Sequence, residues 1–234
     1  VISAAIYNRN ADCRALNLRT ENGGTTFDLI YSGRVITNIE IPVQGTHNVQ
    51  DAMYAYIVGD CCGLTDDRIR AGLKNFINVS MRQMIYDIEG ITVIDDAYNA
   101  SPESMRAAIN VLASMSRERG GRATALLGDM MELGESSALM HEKIGSYAAK
   151  SGVKVLFTYG VLAENIANAA IRNGIRAENV HVSLDTNDPQ TMAEIMFSKL
   201  KPGDILLIKA SRAVHAENVT ERLKLLLKKT NDTE

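Results

Sequence analysis

From about residue 83 one pattern repeats: a short apolar run, a polar loop, then a stretch with helical spacing. The apolar runs are "GITVI", "ATALLG", "KVLFTYG", "NVHVSL" and "DILLIKA". Between them lie "PESMRAAINVLASM", "SSALMHEKIGSYAAKSG", "VLAENIANAAIRNG" and "DPQTMAEIMFSKLKPG", and "VTERLKLLLKK" closes the series. Short apolar strands alternating with helices of this length admit few arrangements. Right-handed crossovers and a mostly parallel sheet, covered on both faces, are predicted, which makes the fold class α/β.

The chain before that repeat reads differently. Residues 1–44 look antiparallel: "ALNLRT" and "TTFDLIY" alternate apolar and polar residues around "ENGG", a hairpin signal. "VITNIEIPV" follows, with Pro42 at a strand exit. From Asn48 the period becomes helical, with Val49, Met53, Tyr56 and Ile57 on one face and Gly63 as the stop. Asn48 reads as its N-cap. A second helix is predicted after Thr65, with Asp66 and Asp67 in its first turn and Ile69, Leu73 and Phe76 as its stripe. A boundary near "NVSMRQM", residues 78–84, divides the chain into domains 1–82 and 83–234.

Composition narrows the function. The 234 residues are 46% hydrophobic with a formal net charge of -3, which excludes a general nucleic-acid binder and leaves anionic small molecules open. Cys13, Cys61 and Cys62 cannot all pair, and no second pair completes a metal site, so they read as thiols in a reducing compartment. No apolar run approaches the roughly 20 residues needed to cross a bilayer. No basic-then-apolar leader opens the chain. A soluble, cytoplasmic protein is expected, with no membrane insertion and no resident metal. Val1 begins a run, "VISAAIY", that reads as a strand already in progress, so a fragment of a longer protein is expected.

Ligands of open parallel sheets bind beyond the carboxyl ends of the strands. Those exits are "DDAYNAS" (95–101), "GDMMELG" (128–134), "YG" (159–160), "LD" (184–185) and "KASR" (209–212). Ser101 and Pro102 suit a helix start, but Asp95 and Asp96 are not needed for one. Two carboxylates there would accept hydrogen bonds from a ribose or help hold a cation through water, or form a solvated acidic turn. In "GDMMELG", Asp129 and Glu132 stand three apart and the methionines are expected to be exposed; a plain helix entry, with Glu135 favouring the dipole, is the alternative. Lys209 and Arg212, with Ser211 at a helix start, suit a phosphate or carboxylate, against simple surface charge. His47 and Asn48 sit where strand gives way to helix, His47 more in keeping with structure than with a ligand, and Arg82 sits in the linker.

Several fingerprints are missing. The sequence contains no G-x-x-x-x-G-K-[ST], no G-x-G-x-x-G after a strand and no G-x-S-x-G.

Taken together, "GTHNVQDAMYA", a linker arginine, "VIDDAYNASPESM", "LLGDMMELGESSALMH" and "LIKASR", in this order and spacing, closely resemble the Mur ligases from about residue 40 to 225. Within that family they are most similar to the ligases that add D-alanyl-D-alanine to UDP-N-acetylmuramoyl-tripeptide. The resemblance implies a three-domain monomer using ATP and Mg2+ in the full-length enzyme. The tripeptide carboxylate is phosphorylated, the dipeptide amine attacks the acyl phosphate, and domain closure positions the amine and excludes water. Residues 1–82 would be the β-plus-helix end of the central ATPase domain, and 83–234 the Rossmann-like C-terminal domain.

Carried over by position, the resemblance gives Asn48 an adenine contact, Arg82 a place near the nucleotide and Asp96 the ribose hydroxyls. Tyr98 and Asn99 would face the phosphates or the incoming dipeptide, and Lys209, Ser211 and Arg212 the dipeptide. Asp129, Glu132 and His141 match motif positions without an assigned role. Asp51 stands where the family has Asn, and Met81 and Ala210 stand where it has Gly, which would narrow the sites or shift φ. The family's phosphate loop, Mg2+-binding glutamate and carbamylated lysine would all precede Val1, so this chain alone is expected to be inactive. A folate- or cyanophycin-type amide ligase and a non-catalytic nucleotide- or peptide-binding module are the competing readings.

Overall fold

The structure, a computed structural model, describes residues 1–21, 23–77 and 83–231. The chain divides into two compact units, Val1–Asn78 and Val79–Glu234.

In the first unit, β2 (Cys13–Glu21), β3 (Gly24–Tyr31) and β4 (Arg34–Ile41) form the expected antiparallel meander. "VISAAIY" yields only the two-residue β1 (Ala4–Ala5), parallel to β2. The alternation in β3 buries Thr25, Phe27, Leu29 and Tyr31 on one face. Over that face lies α1 (Thr46–Cys61), which contributes Val49, Met53, Tyr56 and Ile57 to the same core. Each Ile, Val or Met buried there contributes on the order of 1.5–3 kcal/mol, so the helix is held by its apolar stripe.

Three local expectations are corrected. Helix α1 begins two residues before Asn48, because Gly45 at φ 105 turns the chain into it early. Asn48 therefore lies in the first turn, where its Nδ2 donates to the Gln44 carbonyl at 2.7 Å instead of capping. Helix α2 (Asp66–Lys74) follows Thr65 as expected and buries Ile69, but it ends before Phe76, which is 48% exposed.

The second unit is a six-stranded sheet in the order β5-β6-β10-β7-β8-β9. Its strands are β5 (Met84–Ile88), β6 (Ile91–Asp95), β7 (Ala123–Gly128), β8 (Val155–Tyr159), β9 (Val180–Ser183) and β10 (Ile205–Lys209). All neighbouring pairs are parallel except β5 and β6, an edge hairpin turned by Glu89 and Gly90, both at positive φ. Strand β5 was not legible: "MIYDI" is short and lies half exposed at the edge, so it carries little buried apolar character.

The crossovers divide the helices. Helices α3 (Pro102–Arg119), α4 (Ser137–Lys150) and α5 (Glu164–Arg172) share one core with Ile94, Ala125, Leu127, Leu156 and Leu207. Helices α6 (Pro189–Lys199) and α7 (Ala216–Asn231) share the opposite one with Val93, Leu126, Phe157, Leu206 and Ile208. The alternation Leu206, Leu207, Ile208 between the two cores is the pleat of a strand buried on both faces. The chain steps across from β6 to β7, β8 and β9, then returns to insert β10 between β6 and β7. That return brings the carboxyl ends of β6, β10 and β7 side by side.

Candidate functional site

The three exits that carried the most polar residues are thus spatial neighbours, although "KASR" lies far along the chain from "DDAYNAS". After β6 the chain makes a tight turn into α3. Ser101 caps that helix, its Oγ accepting from the Ser104 amide at 3.3 Å while Ser104 Oγ accepts from the Ser101 amide at 2.9 Å, with Pro102 in the first turn. Tyr98 and Asn99 at the tip of the turn are exposed.

The two aspartates have different surroundings. Asp96 accepts the Gln83 amide on Oδ1 at 3.2 Å and the Lys209 ammonium on Oδ2 at 2.6 Å. Asp95 is 7% exposed and takes the Tyr86 hydroxyl at 3.3 Å and the Ala97 amide at 3.4 Å. Burial lifts the Asp95 carboxyl above the ordinary carboxylate value of 3.8, and those two donors offset only part of the shift. The folded state therefore keeps this proton to higher pH than the unfolded chain does. The resulting penalty is absent below 3.8, grows as pH rises through the folded value, and is complete above it. Asp95→Asn is expected to raise the urea midpoint at pH 7 and to leave it unchanged near pH 3. An equal gain at both pH values would show that burial of the charge is not the cause.

At the exit of β10, Lys209 is 2% exposed, and its ammonium donates to Asp96 Oδ2, to the Asp96 carbonyl at 3.4 Å and to the Asn99 carbonyl at 2.9 Å. Ser211 is equally buried. Its amide donates to the Asp129 carbonyl at 3.0 Å, its Oγ accepts from the Met131 amide at 3.0 Å, and its hydroxyl donates to the Ala100 carbonyl at 3.4 Å. Arg212, opening a short 3-10 turn, is exposed, with Nη1 3.5 Å from Glu217. Ala210 is fully buried and not at positive φ; its methyl fills the space a Cβ on Gly128 would need, 2.6 Å away. The replacement of the family glycine thus neither lines an open site nor strains the backbone.

The exit of β7 is built from buried groups. Met130 is fully buried, against the expectation of exposure, and Met131 is 39% exposed. His141, on α4 and fully buried, accepts the Met130 amide on Nε2 at 2.9 Å, and its Nδ1 lies 2.7 Å from the Ser137 carbonyl. Since Nε2 must accept, Nδ1 carries the proton, and the ring ties the loop to the helix. Asp129, 6% exposed, accepts the Ala163 amide at 2.7 Å, holding the start of α5. Its carboxylate lies 2.4 Å from where a Cβ on Gly160 would be, and that glycine sits at φ +116. The "YG" exit signalled this close approach, and its meaning was missed. Glu132 is exposed in the left-handed region at φ 63.

In the first unit, His47 and Asn48 lie in the first turn of α1, and Asp51 is exposed one turn on. Arg82 and Met81 lie outside the described residues. Among the described residues, no three His, Cys, Asp or Glu side chains converge into a group able to hold a metal ion, and no helix is long and apolar enough to cross a membrane.

Residues 81–212, more than half of the chain, match the family described as Mur ligase, glutamate ligase domain. A Bacillus subtilis (strain 168) protein named UDP-N-acetylmuramoyl-tripeptide--D-alanyl-D-alanine ligase is 33% identical over 184 residues, 78% of this chain and 39% of that relative. A Mycobacterium leprae (strain TN) protein of the same name is 34% identical over 197 residues, 76% of this chain and 37% of its own. The crystal structure of a Thermotoga maritima MurF ligase in complex with ADP superimposes with a TM-score of 0.77 at 24% identity, covering 95% of this chain and 48% of that one. The chain thus spans about two fifths of the length of the curated relatives it matches.

Proposed function

Because the chain belongs to the Mur ligase family, we propose that it is the carboxyl-terminal part of an ATP-dependent ligase that joins D-alanyl-D-alanine to UDP-N-acetylmuramoyl-tripeptide. The observation that carries this reading is the convergence of "DDAYNAS", "KASR" and "GDMMELG" at the carboxyl ends of β6, β10 and β7. The names of the Bacillus and Mycobacterium relatives support the choice of acceptor and amine. Residues 1–82 are read as the end of the central ATP-binding domain and 83–234 as the C-terminal domain of a cytoplasmic monomer.

The reaction transfers a phosphoryl group from ATP to the tripeptide carboxylate. The dipeptide amine then attacks the acyl carbon, and phosphate leaves as the amide forms. The residues of this chain bind and orient. Asp96 accepts hydrogen bonds from ribose hydroxyls, with Tyr98 beside it; Asn48 and Arg82 contact the nucleotide. Asn99 and Arg212, both exposed, are the direct contacts for the dipeptide, whereas Ser211 is buried and holds the rim together. Mg2+ would come with the nucleotide in the whole enzyme and offset charge on its phosphates; among the described residues no three His, Cys, Asp or Glu side chains form a group to hold it.

The test is a chimera of this chain with the upstream portion of the Bacillus relative, given ATP, UDP-N-acetylmuramoyl-tripeptide and D-alanyl-D-alanine. Product gaining the mass of the dipeptide less water, with one phosphate released, is expected. The 234-residue chain alone, which lacks a phosphate-cradling loop in its sequence, is expected to release none. Ligation of glutamate to a folate in place of the dipeptide would overturn the substrate assignment.

A further inference from the structure

Lys209 lies in a motif that suggests a ligand-binding cation, yet the ammonium is 2% exposed and each of its acceptors belongs to one turn: Asp96 Oδ2 at 2.6 Å, the Asp96 carbonyl at 3.4 Å and the Asn99 carbonyl at 2.9 Å. An ammonium has three hydrogens. Donating to a phosphate or a dipeptide carboxylate would require breaking one of these bonds and drawing a buried charge outward.

We propose that Lys209 is a positioning residue with two effects on the nucleotide rim. It locks the Asp96–Ala100 turn so that Tyr98 and Asn99 project outward, and it cancels the charge of Asp96. This rests on the nucleotide reading above. The second effect follows from electrostatics. A carboxylate suited to ribose hydroxyls stands near the polyanionic end of the same ligand, and an unpaired charge would repel it. Paired with Lys209, Asp96 keeps lone pairs to accept hydroxyl hydrogens but adds no net charge to the rim. Ser211 completes the arrangement by holding the Ala100 carbonyl.

The test follows amide exchange in the 15N-labelled 234-residue chain, and measures ADP and, separately, adenosine affinity by calorimetry on the chimera with the upstream portion of the Bacillus relative. In Lys209→Met, amides 96–101 are expected to lose protection while those of β8 and α5 keep it. ADP affinity is expected to fall by roughly ten-fold more than adenosine affinity, the scale of one charge–charge contact near a surface. In Asp96→Asn with Lys209→Met the rim is neutral again, and the ratio of ADP to adenosine affinity is expected to return to that of the unaltered chimera. Lys209→Arg, which keeps the charge but not the three-acceptor fit, is expected to keep the ratio and lose part of the protection.

Unchanged exchange in Lys209→Met would overturn the lock. A ratio that stays lowered in the double variant would overturn the charge-cancelling role, because the lysine would then be touching phosphate. Should Lys209→Met not fold, the arginine and double variants carry both comparisons. Failure of the unaltered chimera to bind either ligand would overturn the nucleotide reading, a result distinct from the exchange outcome.

Discussion

Arg122→Met is expected to cost about 3–5 kcal/mol of stability in the second unit, the cost of leaving a buried charge without its partner. Arg122 stands just before β7 and Asp204 just before β10, so their pairing ties the amino ends of two central strands. The guanidinium is bidentate, Nε to Oδ1 at 2.8 Å and Nη2 to Oδ2 at 2.6 Å, and Nη2 also donates to the Lys199 carbonyl at 2.8 Å. The Asp204 side chain is 4% exposed and the Arg122 side chain 33%, so the loss falls on the carboxylate. The Lys201 amide, at 2.9 Å, is the donor it keeps. Arg122→Met with Asp204→Leu is expected to recover much of the loss, since no buried charge remains. Urea unfolding followed by circular dichroism measures both; a single-variant loss below about 1 kcal/mol would mean the pair behaves as a surface ion pair.

A second large effect is expected at Gly145 of α4, which packs directly against the backbone of α5. A Cβ there would lie 2.1 Å from the Ile166 carbonyl oxygen, 2.9 Å from its carbon and 3.0 Å from the Ala169 methyl. Two of these neighbours are backbone and cannot rotate away. On an exposed helix Gly→Ala gains about 1 kcal/mol in propensity, yet here overpacking costs typically about 1–3 kcal/mol or more. Gly145→Ala is therefore expected to destabilise, and Gly145→Val to do so further, by about 3 kcal/mol or more. The disturbance should reach the β7 exit, because α5 begins at the amide that Asp129 holds. Thermal unfolding and the amide signals of Met130 and Met131 would register it; a stabilised Gly145→Ala would refute the close approach.

The alternation of apolar runs with helices made the parallel sheet legible, because strands buried on both faces leave a continuous apolar mark. Edge strand β5 left no such mark. The polar exits of β6, β7 and β10 were legible as places for chemistry, since a buried strand has no structural need of charges at its tip. Their division of labour was not. Asp95 and Asp96 are adjacent in sequence, but one is buried against Tyr86 and the other pairs with Lys209. Lys209 and Ser211 stand at a strand exit whose charges suit an anion, while their burial turns their polar atoms inward. His141 matched a motif position without a role; only the fold shows its ring binding the Met130 amide. Such partners lie tens of residues apart or depend on which face a helix presents, and local pattern does not encode that.

The place of β10 has a consequence for how this protein is made. The strand that sits between β6 and β7 is the last of the six to leave the ribosome. Until it emerges, the emerging polypeptide holds β6 and β7 as separate pieces with an unfilled slot between them, and the rim has no floor. A nascent chain stalled before Ile205 should therefore expose apolar edges to chaperones, and acquire protease resistance in a single late step once the slot is filled.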